Sequence, residues 1–200
     1  MPLLMVRGNR LLTQPNSFFT AGAYTYQIPP WANFIDVILL GAGGGGQGMG
    51  SLSTWGKGGA AGSWVVVTLR RGVHIPLTTT TITGSIGAGG ARGAGTFLPV
   101  VGGNGSAGGN TTATATGMTA LTALGGAGGS GGAIDPFTAA GKSPGDQTLN
   151  GRLYQGGAGS SGAANPPGAG GGGALISLQN GNAGAPGAAW FFAYQSPPVI

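Results

Sequence analysis

The chain alternates between short apolar blocks and glycine-rich segments. In one block Tyr24, Tyr26 and Ile28 occupy every second position, which is the period of a strand with one buried face. Residues 34–40 form a continuous apolar run of strand length. β-Branched and aromatic residues dominate the other blocks, and glycine and proline recur too often for a long helix. The pattern therefore predicts further strands over residues 63–70, 73–83, 96–101, 111–124, 174–178 and 188–194.

Between these blocks, glycine tends to occupy every third residue. Such runs occur within residues 41–44, 56–62, 84–93, 102–108, 125–131, 156–162, 168–171 and 181–187. A polyproline-II-type helix has three residues per turn, so this spacing leaves one face without side chains. Such a helix has no internal hydrogen bonds, and its N–H and C=O groups need partners in neighbouring segments.

The glycine spacing therefore predicts a bundle of short polyglycine-II helices. In that bundle Gly87, Gly90, Gly128 and Gly159 face neighbouring backbones. Collagen is a poor match, because the triplet runs are short and strand blocks interrupt them. Glycine-rich loops with accidental triplet spacing are the alternative.

Composition supports an ordered chain with few charges. Of 200 residues, 47 are glycine and only 6% are charged, while mean hydropathy is +0.20. Disorder combines low hydrophobicity with high net charge, and this chain has neither. The net charge of +5 comes from scattered basic residues rather than a basic stripe, so we expect no nucleic-acid partner.

No segment is typical of secretion or of a membrane span. The first twelve residues lack the charged, apolar and cleavage order of a signal peptide. The apolar run of residues 34–40 is far shorter than the ~20 residues that a span needs. The absence of cysteine excludes disulfides and thiolate chemistry.

Three glycine motifs imitate catalytic or nucleotide sites. Gly41, Gly43 and Gly46 satisfy G-x-G-x-x-G, but the following residues cannot form the helix that a dinucleotide site requires. The sequence 141–143, Gly-Lys-Ser, lacks the first glycine of a P-loop, and residues 128–132 match G-x-S-x-G without a later histidine. One histidine and three acids leave little for a metal site or a triad. We expect no enzyme activity and no cofactor.

Aromatic and cationic side chains beside the glycine runs are the remaining candidates for contact with a partner. Trp55, Phe137, Lys142 and Tyr154 lie in connections that otherwise hold small residues. Such groups on a rigid support suit contact with a sugar or another protein, and a local plug beneath a loop is the alternative. Trp64 and residues 190–192 lie in apolar strands and are expected in the core.

The order of these features resembles a known family. A lead-in over residues 18–29 precedes the strand 34–40, which runs into Gly-Ala-Gly-Gly-Gly-Gly at 41–46. The sequence 58–62 leads into a strand, a threonine-rich strand runs into IGAGGARGAG at 86–95, and 184–187 precedes a closing aromatic strand. This looks like the glycine-rich domain of phage minor tail and tail-fibre proteins, particularly of actinobacterial phages, over about residues 17–195.

The resemblance implies an all-β fold: a β-sandwich, jelly-roll or TNF-like, that carries the polyglycine-II bundle. Residues 1–16 would be an N-terminal arm or attachment segment, and residues 17–200 the glycine-rich domain. It also implies a non-enzymatic virion tail component that is a homotrimer, binds other tail proteins and contacts a host-envelope glycan or glycolipid. A cement protein of capsid or tail without a receptor role, or a bacterial surface adhesin, are the alternatives.

Overall fold

Strands in antiparallel sheets make up the regular structure of the protein. The computed structural model describes residues 4–7, 10–13, 16–51 and 54–196. A six-stranded larger sheet contains β1 (Leu4–Arg7), β2 (Arg10–Thr13), β3 (Asn16–Phe18), β5 (Phe34–Leu40), β6 (Trp64–Arg70) and β12 (Ala188–Tyr194). A four-stranded smaller sheet contains β4 (Gly22–Gln27), β7 (Thr81–Ile86), β8 (Thr111–Thr114) and β9 (Leu121–Ala123). A hairpin of β10 (Gln147–Leu149) and β11 (Arg152–Tyr154) and a single helical turn, α1 (Pro136–Ala139), complete the described elements.

Strand β12 organises the larger sheet. It pairs along its whole length with β5 in antiparallel register, from Ala188 opposite Leu40 to Tyr194 opposite Phe34. Strand β5 pairs in turn with β6, and the other edge of β12 bonds to β2 and β3. All seven residues of β12 are buried. The predicted all-β class is confirmed, and the described parts of the predicted N-terminal arm lie in strands at the edge of this sheet.

The two sheets pack face to face around one apolar core. Alternate residues of β5 and β12, such as Ile35 and Phe191, meet residues of the smaller sheet such as Tyr26 and Ile82. The Tyr26 and Phe191 rings stack with centroids 4.5 Å apart. Because side chains alternate across a strand, the remaining residues of β5 and β12 face the opposite side of the larger sheet.

That outer face is covered by the β10–β11 hairpin. Ile38, Leu40 and Trp190 pack there with Tyr154 of the hairpin. Asp36 lies on the same face, fully buried, and its carboxylate accepts hydrogen bonds from Thr68 Oγ1, Tyr194 Oη and Asn150 Nδ2 at 2.6–3.1 Å. Neutral donors therefore satisfy this buried acid and bind the hairpin turn to the sheet.

The segment after β5, residues 41–49, is the axis of a bundle of glycine segments. Its N–H groups donate in strict rotation to three other segments. The N–H groups of Gly41, Gly44 and Gln47 donate to the carbonyls of residues 63, 60 and 57. Those of residues 42, 45 and 48 donate to carbonyls 109, 106 and 103, and those of residues 43, 46 and 49 donate to carbonyls 185, 182 and 179. Every third N–H of the axis segment thus bonds to the same neighbouring segment. All three of these neighbours run antiparallel to the axis.

The carbonyls of the axis segment receive three further segments in the same rotation. N–H groups of residues 90, 93 and 96 bond to carbonyls 43, 46 and 49; those of 126 and 129 bond to 42 and 45; and those of 171 and 174 bond to 44 and 47. These three segments run parallel to the axis. Six segments therefore surround it, and every set of bonds repeats every three residues.

The six surrounding segments also bond to one another as a closed ring. The order around the axis is 57–63, 125–131, 103–109, 87–96, 179–185 and 168–174, with direct backbone hydrogen bonds between each neighbouring pair. Adjacent segments in this ring alternate in direction. The sequence prediction of glycine segments that hydrogen-bond to one another agrees with these contacts.

Glycine is required where segments touch. An ideal Cβ at Gly44 would lie 2.1 Å from the Ala127 carbonyl oxygen, and one at Gly45 would lie 2.0 Å from that of Ala91. Gln47, which is fully buried in the axis segment, is the large polar exception. Its amide nitrogen donates to the Gly102 carbonyl and Asn104 Oδ1, and its amide oxygen accepts from Lys57 N and Gly132 N.

Several predicted strands were wrong. Residues 96–101 and 174–178 lie in bends, turns and irregular backbone, and residues 73–80 form turns and irregular backbone, so that only residues 81–83 of the predicted strand 73–83 lie in β7. The stretch 111–124 forms β8 and β9 with a turn between them. The triplet run 156–162 lies outside the ring, where it contacts residues near 141 and 165, and Gly172 N of the ring donates to the Gly162 carbonyl at 3.0 Å.

Candidate interaction surface at the end of the glycine bundle

Connections between the glycine segments meet at the end of the bundle away from the sheets. The chain leaves β5 at residue 41, reaches this end near residue 50 and returns along 57–63, and the other segments repeat this path. Ser51 N donates to the Leu98 carbonyl at 3.1 Å, and Ala133 N donates to the Trp55 carbonyl at 2.7 Å. We call residues 97–101, 134–137 and 175–178 the distal tip.

The distal tip exposes large apolar side chains. Phe97, Ile134 and Phe137 are 85%, 88% and 83% exposed. The exposed large hydrophobic residues of the distal tip are Phe97, Leu98, Val100, Val101, Ile134, Phe137, Leu175, Ile176 and Leu178. Exposed apolar residues grouped at one end of a molecule are typical of an interaction surface, whereas scattered exposed hydrophobic residues are ordinary.

The charged groups of the tip region are held by local contacts. Asp135, the charged residue of the distal tip, caps α1 by accepting a hydrogen bond from Thr138 N at 2.8 Å, and this bond holds the pKa of its carboxyl below the usual range. Lys142 Nζ, beside the tip, donates to the Phe137 carbonyl at 2.8 Å. The tip therefore offers little charge to a partner.

Three of the four aromatic and cationic candidates lie near one another, since Lys142 Nζ donates to the Phe137 carbonyl at 2.8 Å and Trp55 pairs with Ala133 next to the distal tip. Phe137 is exposed in the distal tip, Trp55 is half-buried beside it, and Lys142 is exposed at the flank of the bundle. Tyr154 is far from the tip and only 4% exposed, with its ring edge-on to Trp190 at 5.7 Å. The expectation of an accessible Tyr154 ring is corrected, because the hairpin turns this side chain onto the apolar outer face of the larger sheet.

Three of the four glycines predicted to pack against backbones lie in the ring. An ideal Cβ at Gly87, Gly90 or Gly128 would lie 2.0–2.1 Å from a carbonyl oxygen of residue 109, 106 or 105. Gly159 lies outside the ring, where its Cβ would meet the Gly141 carbonyl oxygen at 2.7 Å.

The glycine motif of residues 41–46 uses its N–H groups inside the bundle. Gly41, Gly43 and Gly46 donate to the carbonyls of Ser63, Ala185 and Asn182. These donors are therefore occupied by backbone. Over the described ranges there is no group of three or more His, Asp or Glu side chains placed to hold a metal ion. Nor does that part of the chain contain a helix long and apolar enough to cross a membrane.

Sequence reasoning missed most of the distal tip. Residues 96–101 and 174–178 are apolar and β-branched, so the pattern assigned them to strands and hence to the core. A signal was present: each block continues directly from one glycine segment and leads into another, and a connection between antiparallel segments must reverse the chain.

Comparisons with known proteins agree with this architecture. The family described as "Glycine-rich domain" matches residues 19–194. The chain is 60% identical to the Gene 32 protein of Mycobacterium phage L5 over 185 residues, which cover 89% of this chain and 80% of that protein. It is 53% identical to the Gene 32 protein of Mycobacterium phage D29 over 180 residues, which cover 86% and 80% of the two chains. With its strands, its glycine bundle and these relatives, the chain belongs to the Glycine-rich domain family.

Proposed function

We propose that this chain is a non-enzymatic phage virion protein, a minor tail or tail-tip component that takes part in attachment to the host surface. The phage relatives support a phage origin. The observation that carries the attachment role is the distal tip, an exposed apolar surface held at the end of a hydrogen-bonded bundle. Loops on a rigid scaffold are a usual place for recognition.

The bundle suits presentation of a surface. Its segments are fixed by backbone hydrogen bonds on all sides, and β5, β6, β7, β8, β9 and β12 hold segment ends at the sheets. Loops that are already ordered lose less entropy on binding. In this mechanism the sheets form the base, the bundle is a rigid support, and the distal tip contacts the partner.

We further propose that the glycine segments are polyglycine-II helices and that the two-sheet unit is of the jelly-roll or TNF-like type. The bonding period of three residues supports the first assignment. Such helices rise ~3.1 Å per residue, so the axis segment would be roughly 28 Å long. An experimental structure with glycine φ near −75° and ψ near +145° would support the helices, and β-strand angles would contradict them.

For assembly we propose a homotrimer bound to other tail proteins. At one side of the two sheets, Val67, Met118 and Leu121 line an open cavity of about 450 Å³ and are only partly buried. A neighbouring copy would bury them. Multi-angle light scattering should give three times the chain mass, and a monomer at micromolar concentration contradicts the trimer.

Two experiments test the attachment role. Gold-labelled antibody against the chain should mark the tail of purified particles, and antibody against the distal tip should slow adsorption to host cells. As a control, antibody against the β10–β11 hairpin should bind the particle and leave adsorption unchanged. Tail labelling with normal adsorption under tip antibody would favour a cement protein. Labelling of the bacterial surface in uninfected cells would favour an adhesin.

A further inference from the structure

Apolar exposure on this protein is concentrated at one place. Fourteen large hydrophobic side chains are exposed among the described residues, and nine of them belong to the distal tip. The three loop pieces of the tip are contributed by different parts of the chain, so the patch is assembled only by the bundle. Burying exposed apolar surface of this kind against a partner is favourable, because it removes the surface from water.

The types of side chain in the tip suit hydrocarbon better than a protein partner. The tip holds Phe, Leu, Ile and Val, which transfer favourably into a bilayer core. Anchors of protein interfaces are enriched in Trp, Tyr and Arg. None of these occurs within residues 97–101, 134–137 or 175–178, and Trp55 beside the tip is half-buried. A sugar would need several free polar groups around an aromatic platform, whereas these loops present chiefly aliphatic and phenyl groups.

Charge points the same way. Asp135 is the single charged residue of the distal tip, and Thr138 N binds its carboxylate. Lysine and arginine, which draw a protein to anionic headgroups, are absent from the three tip ranges. A tip with one locally bonded carboxylate and no basic residue matches a surface without net charge.

From these observations we propose that the distal tip inserts into an uncharged lipid surface, with the Phe97, Ile134 and Ile176 side chains among the acyl chains. The ordered tip enters only as far as its loops, as interfacial apolar groups do. This inference rests on the proposed function, since it names the chemistry that the attachment surface recognises.

Vesicle flotation tests the inference. The full chain should float with phosphatidylcholine vesicles, which carry neither sugar nor net charge, and 0.5 M NaCl should leave the bound fraction about the same. Phe97→Ser/Ile134→Ser should weaken vesicle binding by about tenfold or more, because two large apolar groups no longer leave water. The matched control is Leu77→Ser/Leu153→Ser, which changes two residues that are 65% and 59% exposed and lie outside the tip. Circular dichroism establishes that both variants keep the wild-type fold.

The outcomes separate the lipid from other partners. Loss of vesicle binding in the tip variant with retention in the control supports insertion. Absence of wild-type binding to vesicles, or equal binding by wild type and tip variant, overturns it. If phage with the tip variant then adsorb poorly although vesicles are not bound, the host-surface role stands and the lipid is the wrong partner. Self-association of the wild type that the tip variant abolishes also overturns the lipid, in favour of a second copy.

Discussion

At the scale of single residues, the bundle forms because glycine has no side chain and lets neighbouring backbones approach closely. Gly45 N donates to the Ser106 carbonyl at 2.9 Å, and a methyl group on Gly45 would lie 2.0 Å from the Ala91 carbonyl oxygen. Gln47 is tolerated in the same segment because both ends of its amide have partners. Glycine is thus required by close approach of backbones rather than by unusual backbone angles.

The first prediction compares two neighbouring positions in the segment 87–96. Gly90→Ala should lower the free energy of unfolding by roughly 1–3 kcal/mol or more, since its Cβ would lie 2.1 Å from the Ser106 carbonyl oxygen. Ala88→Val is the control, because Ala88 is exposed. Thermal unfolding by circular dichroism should show a lower Tm for Gly90→Ala only. Equal values would contradict tight packing of this segment.

The second prediction concerns Tyr154 and pH. Burial raises the pKa of Tyr154 to about 12, so unfolding exposes a phenol that ionises more readily. The resulting stability is complete below the unfolded pKa of about 10 and is lost as pH rises toward 12. Tyr154→Phe should therefore flatten the fall of Tm above pH 10.

The same substitution should leave stability at pH 7 nearly unchanged. Among the described residues the buried Tyr154 hydroxyl has no hydrogen-bond partner, so its removal loses no bond. Tyr194→Phe is the contrasting variant, because the Tyr194 hydroxyl donates to the Asp36 carboxylate at 3.0 Å. It should cost about 1.5 kcal/mol at pH 7. A large loss for Tyr154→Phe would mean that its hydroxyl has a partner.

At the scale of elements, the β10–β11 hairpin is fixed to the larger sheet by its turn. Asn150 and Gly151 both have positive φ, 50° and 73°, as a tight two-residue hairpin loop requires. Asn150 Nδ2 reaches both Asp36 carboxylate oxygens, at 2.9 and 3.1 Å. Local turn chemistry and a long-range contact therefore depend on the same residue.

The third prediction follows from this double role. Asn150→Ala should destabilise the fold by about 1–3 kcal/mol, because a buried carboxylate loses a donor and alanine resists positive φ. Amide hydrogen exchange should speed up in β10 and β11 more than in β5 and β12. Thr148→Ala, an exposed change in the same hairpin, should have little effect. Uniformly faster exchange over all strands would contradict a local anchor.

Strands were predicted correctly from the sequence where an apolar run has a neighbouring strand to pair with. Residues 34–40 and 188–194 were predicted as strands and form β5 and β12 with those bounds, since continuous apolar runs suit a sheet covered on both faces. Residues 96–101 and 174–178 have similar composition and became tip connections. Strand propensity reflects how well a side chain packs on a half-buried sheet, and within the described ranges no strand lies beside these blocks for them to join.

At the scale of the whole molecule, sheets and bundle are one hydrogen-bonded structure. Strand β5 continues into the axis segment without a break, and five of the six ring segments begin or end at β6, β7, β8, β9 and β12. Glycine pays a high entropic cost on ordering, so the bundle depends on the sheets to hold its ends.

The fourth prediction is a single cooperative unfolding transition. Near-UV circular dichroism of the stacked Trp64 and Trp190 rings reports on the larger sheet. Hydrogen exchange at Gly43, Gly44 and Gly45 reports on the axis. Both probes should give the same midpoint in denaturant, and Gly90→Ala should lower both together. A bundle that melts while the tryptophan signal persists would contradict the shared structure.

The sequence alone determined the class of structure, because alternating apolar blocks and triplet glycine are local patterns with direct physical meaning. Short apolar runs favour strands. Glycine at every third residue leaves one face without side chains, which favours close packing of backbones. The tertiary structure decided which segment became the axis, the order of the ring, the burial of Tyr154 and the gathering of Phe97, Ile134 and Ile176 at one tip. Those outcomes depend on contacts between residues far apart in the chain, and near-identical glycine runs carry no local signal that tells one partner from another.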